Sequence, residues 1–91
     1  MKNVKPKYVP NSLKKYRKAA GLRQKEVAKL LGLKSTSMIS RWEKGFCLPE
    51  LPNIFKLALI YQTMVDALFM DLRTTLKYEI QKKRNKAHIE R

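Results

Sequence analysis

Residues 24–44 read QKEVAKLLGLKSTSMISRWEK, and the fold turns on how this stretch divides. Val27, Leu30 and Leu31 fall on one side of a helix, with Lys25 and Lys29 on the other. Gly32 then stops that helix, because glycine enters the left-handed conformation without a Cβ penalty. The hydroxyl cluster Ser35, Thr36 and Ser37 offers caps for a second short helix, with Ile39 and Trp42 on its inner side and Gly45 as terminator. Two short helices joined by a tight glycine-containing turn are the expected result. Small Ala28 permits their close crossing.

Working outward, Asn11 or Ser12 can cap an earlier helix carrying Leu13, Tyr16 and Ala20, which Gly21 ends. Downstream, FCLPELP at 46–52 reads as a loop. Ile54, Leu57, Ala58 and Tyr61 then form the buried stripe of a fourth helix. Thr63 and Asp66 have capping-box spacing before a fifth helix with Val65, Leu68 and Phe69 on its apolar side. The expectation is an all-α domain of five helices over 11–70, preceded by a flexible basic arm at 1–10. A basic helical extension or tail follows at 71–91. In that tail Leu72, Leu76 and Ile80 recur every four residues, so helix extends to about residue 82.

The chain has 91 residues, enough for one domain with a small core, and 44% of them are hydrophobic. Twenty-one Lys and Arg against seven Asp and Glu give a formal charge of +14, which implies a polyanionic partner. One cysteine, Cys47, excludes an internal disulfide and a cysteine-based zinc site. The sequence has no apolar run of membrane-spanning length. It shows no nucleophile and base pair, no carboxylate pair, no phosphate-cradling loop and no metal-ligand cluster around the single His88. The expectations are a non-enzyme with no cofactor, no metal and no small-molecule ligand, located in the cytoplasm with the nucleoid.

The stretch LKKYRKAAGLRQKEVAKLLGLKSTSMISRWEKG at 13–45 resembles the Cro/C1-type helix-turn-helix regulators, the Xre family. The resemblance rests on Arg17, Gly21-Leu22, Gln24, Ala28, Gly32 and the block Ile39-Ser40-Arg41-Trp42-Glu43-Lys44-Gly45. It implies a lambda-repressor-like fold that binds double-stranded DNA, with the third helix in the major groove. By position, Thr36, Ser37, Ser40 and Arg41 then lie nearest the base edges. Arg41 is the principal specificity residue, since its guanidinium can donate twice to guanine O6 and N7. Gln24 resembles the family's phosphate clamp, and Lys25, Lys34 and Lys44 are placed to neutralise phosphates. Arg17 and Glu43 match a buried structural ion pair.

One departure matters: LKSTSM between Gly32 and Ile39 is one residue longer than the family's usual spacing. Either the turn is longer or the third helix starts late, which bears on Ser35, Thr36 and Ser37. The function implied is transcriptional regulation, as a repressor from a bacterium or mobile element. Two rivals stand beside it: an antitoxin-like module that binds DNA and a protein, and a non-specific nucleic-acid binder. Should Leu72, Leu76 and Ile80 not cover the domain's own core, they leave a homodimer through the C-terminal helices open.

Overall fold

In the computed structural model, which describes residues 8–89, local sequence signals set six helices and no strand among the described residues. The first, α1 (Leu13–Ala19), is started by Asn11, whose Oδ1 accepts the Leu13 N–H at 3.0 Å. The Asn11 amide also donates to the carbonyl of Trp42 at 3.0 Å, so the side chain that precedes α1 also ties it to a distant helix. Leu13 and Arg17, four residues apart, form its buried side.

Next, α2 (Gln24–Leu31) opens with the Arg23 N–H donating to the Glu26 carboxylate at 2.8 Å, which satisfies a donor left free at a helix start. Gly32 closes it at φ 75°, and the Leu33 N–H returns to the Ala28 carbonyl at 2.8 Å. Val27 and Ala28 are buried and Leu31 half-buried, but Leu30, on the same apolar side by spacing, is exposed. The buried strip of α2 is narrower than the apolar pattern suggests.

The third helix, α3 (Ser37–Glu43), starts at Ser37 and leaves Lys34, Ser35 and Thr36 outside the helix. No side chain of Thr36 caps it; instead the Ser35 Oγ accepts the Ser37 N–H at 3.3 Å. Ile39 and Trp42 enter the core. α4 (Leu51–Ile60) carries Pro52 in its first turn, where a missing N–H costs nothing, and buries Leu57 and Ala58.

A single turn, α5 (Val65–Leu68), precedes α6 (Met70–Lys86). The capping box expected of Thr63 and Asp66 does not form; Met64 stands at the cap position with no side-chain bond. Phe69, buried and at φ −129°, ψ 40°, breaks the helix between the two. The Ser12 N–H donates to the Leu68 carbonyl at 2.8 Å and ties the start of α1 to the end of α5.

The core these contacts enclose comprises Leu13, Val27, Ile39, Trp42, Leu57 and Leu68, with Ala28, Ala58, Tyr61 and Phe69 around them. Helix α6 runs four residues further than the sequence pattern suggests and buries none of its 17 residues. Leu72 alone of its stripe is half-buried against the core; Leu76 and Ile80 are exposed. Residues 1–7 of the expected arm and the last two residues of the tail lie outside the described residues. Tyr8–Pro10, which fall in the expected arm, lie against the end of α3, with the Val9 N–H donating to the Gly45 carbonyl at 2.8 Å.

Candidate nucleic-acid interface

Buried charge fixes how α3 is presented. Glu43, at the end of α3, receives the Arg17 Nε on one carboxylate oxygen at 2.6 Å and Nη2 on the other at 3.2 Å. These side chains are 9% and 4% exposed, so the pair is desolvated and must be satisfied internally. The third guanidinium nitrogen donates to the Leu22 carbonyl at 3.0 Å. Bonding to Glu43 raises the already high pKa of Arg17. Burial pushes the neighbouring Tyr61 hydroxyl up to about 12. The indole N–H of Trp42 is buried with no acceptor in this cluster.

Gln24 belongs partly to the same knot. Its Nε2 donates to Glu43 Oε1 at 2.9 Å, so one of its two amide N–H bonds is committed to the scaffold and one remains for an outside acceptor. Position 24 therefore joins the first turn of α2 to the last turn of α3. Sequence spacing gave no sign of that link, because the two residues are 19 apart in the chain.

The opposite side of α3 is built differently. Ser37, Arg41 and Lys44 are exposed and Ser40 half-buried; their spacing of three, four and seven residues puts them on one face. No hydrogen bond or ion pair among the described residues uses the side chains of Ser40, Arg41 or Lys44. Lys25, Lys34 and Ser35 are exposed and Thr36 half-buried, in α2 and the turn that precedes α3. The structure thus brings Ser37, Ser40, Arg41 and Lys44 onto one helix face, and puts Lys34, Ser35 and Thr36 on the loop leading into it.

Two residues absent from the sequence reading complete this face. Gly45 takes φ 80°, and the Phe46 N–H then folds back to the Arg41 carbonyl at 3.0 Å. The Phe46 ring is thereby brought beneath the Arg41 guanidinium, 5.9 Å from carbon to ring centre. Tyr8 also lies against Phe46, with ring centres 5.4 Å apart. The available signal was Gly45: a glycine closing a helix folds the next residue back over the last turn.

This face carries donors and positive charge with no carboxylate, which suits phosphate oxygens and base edges. Among the described residues no group of acidic, His and Cys side chains could hold a metal ion, and no helix is long and apolar enough to cross a membrane. A family model described as "Helix-turn-helix" matches residues 13–67. No curated protein and no solved structure matches the chain.

Proposed function

From the premise that this chain belongs to the Cro/C1-type helix-turn-helix family, we propose that it is a sequence-specific reader of double-stranded DNA that regulates transcription as a repressor. The observation that carries the proposal is the outer face of α3. Its polar and basic side chains make no internal bonds while every charged group on the inner side is paired. Ser37, Ser40 and Arg41 face the base edges, with Arg41 selecting guanine through its paired donors. Thr36 and Ser35 approach from the turn. Lys25, Lys34 and Lys44 neutralise phosphates, and the remaining amide N–H of Gln24 donates to one of them. A protein of this kind works beside the nucleoid in the cytoplasm.

Selection of bound sites from random duplex DNA, followed by affinity measurements at several salt concentrations, tests the reading. An enriched motif of several base pairs is expected. Binding without any enriched motif would reject specific regulation in favour of a general nucleic-acid coater.

A further inference from the structure

The segment in front of α1 is fastened to the end of α3. Val9 donates its N–H to the Gly45 carbonyl at 2.8 Å. The Asn11 amide donates to the carbonyls of Val9 and Trp42, each at 3.0 Å, so both donors of one side chain hold the two pieces of backbone together. The approach is close enough that a β-carbon on Gly45 would sit 2.7 Å from the Val9 carbonyl oxygen. Backbone tied in this way sets where the adjoining side chain, Tyr8, can lie.

Two aromatic rings meet there, beside the outer face of α3. The Tyr8 and Phe46 ring centres are 5.4 Å apart with their planes inclined at 41°, and the Arg41 guanidinium carbon lies 5.9 Å from the Phe46 centre. Both distances fall where aromatic pairs, and cations over rings, attract each other. Phe46 and Tyr8 are 46% and 56% exposed and stand outside the core, so burial does not account for the position of either ring. Lys44, the other cation of this face, has no ring beside it among the described residues. The aromatic support goes to the side chain whose planar fork can select a base.

Resting on the reading of Arg41 as the guanine contact, we propose that Phe46 and Tyr8 are positioning residues for that contact, held in place by the segment Val9–Asn11. An arginine free to swing can turn to a neighbouring phosphate or another base edge, and it loses rotamer freedom whenever it docks. A guanidinium held against a ring loses less, and it keeps its paired donors in the one plane that guanine O6 and N7 require. Phe46 supplies the ring, and Tyr8 limits where that ring can go. The selectivity of α3 then depends on a residue that precedes α1 and lies outside the helix-turn-helix itself.

The test uses the whole chain in two arms. In the free protein, the nuclear magnetic resonances of the Arg41 side chain are expected to carry the ring-current shift of Phe46. Phe46→Leu removes that shift and leaves the helical circular dichroism unchanged, because the position is exposed. On duplexes of the selected site, Phe46→Leu lowers discrimination at the base pair read by Arg41 by about 2- to 5-fold, with the other positions and the salt slope unchanged. Phe46→Tyr restores it, and Tyr8→Ala gives a smaller loss at the same base pair. In an Arg41→Ala background Phe46→Leu changes nothing further.

If Arg41→Ala relaxes one base pair and Phe46→Leu leaves that base pair as selective as before, the proposal is overturned while the reading of Arg41 stands. A Phe46→Leu loss that persists in the Arg41→Ala background would overturn it as well, since Phe46 would then touch DNA itself. Unchanged discrimination in Tyr8→Ala would overturn the part given to Tyr8. An Arg41→Ala protein with no relaxed position would remove Arg41 from base reading, and the proposal with it.

Discussion

The inner and outer faces of α3 share seven residues and almost no chemistry. Inside, Ile39 and Trp42 are enclosed, and every hydrogen bond to Glu43 comes from Arg17 or Gln24. Outside, Arg41 and Lys44 keep all their donors unspent. The difference shows how a helix this short is both anchored and available. Burial obliges the polar groups on one side to find partners within the fold, and solvent on the other side leaves donors for a ligand. Changes on the inner side should therefore register in stability, and changes on the outer side in binding.

Glu43→Ala should have the largest effect. It strands the buried Arg17 guanidinium and releases the Gln24 amide, at a cost of about 3–5 kcal/mol in chemical denaturation. The double substitution Arg17→Met with Glu43→Leu should recover most of that loss, because it leaves no unpaired charge in the interior. A loss below about 1 kcal/mol for Glu43→Ala would mean that the inner face is not held by this knot.

Gly45→Ala comes next, at the end of the helix where the two faces meet. The left-handed backbone alone costs a β-carbon about 1 kcal/mol. At Gly45 that carbon would also sit 2.7 Å from the Val9 carbonyl oxygen, and the strand of chain bonded there must move. A total of about 2–3 kcal/mol is expected by thermal denaturation. Gly32→Ala, at a similar φ of 75° but with nothing within 4 Å, should show only the backbone share. Equal losses at the two glycines would remove the Val9 contact from the account.

These two regions were unequally legible in the sequence. The pairing of α2 with α3 could be read because its signals are local: Gly32 at the end of one apolar stripe, Gly45 at the end of the next, and Ala28 at the crossing. The Arg17–Glu43 pair was legible through family resemblance, and it lies where expected. The third bond to Glu43, from Gln24, was not legible, because it depends on how two helix ends meet in space. Leu30 shares the apolar side of α2 by spacing yet stays in water, because an apolar side chain at the right spacing carries no mark of how wide the buried strip is. The same ambiguity hid the outer stripe of α4. With apolar residues on both sides of that helix, periodicity marked the buried set and gave no notice that Leu51, Phe55 and Leu59 stay in water.

On the outer face, Arg41→Ala should leave folding stability within about 0.5 kcal/mol of the parent, since the side chain is exposed and makes no internal hydrogen bond or ion pair among the described residues. Its effect belongs to recognition: about 1–3 kcal/mol of discrimination lost at one base pair of the selected site, with the other positions unchanged. Phe46→Ala should relax the same position by less, because the guanidinium remains but loses the ring that helps to orient it. A destabilised Arg41→Ala protein would contradict the division between the two faces.

Lys44→Ala is expected to have the smallest effect and offers the sharpest separation of roles. Lys44 closes α3 and is exposed like Arg41, but an ammonium on a flexible stem neutralises charge without selecting a base. Its removal should weaken all DNA sequences alike and lower the slope of log affinity against log salt by about 0.9, the share of one phosphate contact. Lys34→Ala, from the turn that precedes α3, should behave in the same way if that loop reaches the backbone. The slope is the decisive measurement because it counts contacts independently of sequence. A Lys44→Ala protein with an unchanged slope but an altered motif would move Lys44 among the base-reading residues. The reading surface would then extend along the whole outer face of α3.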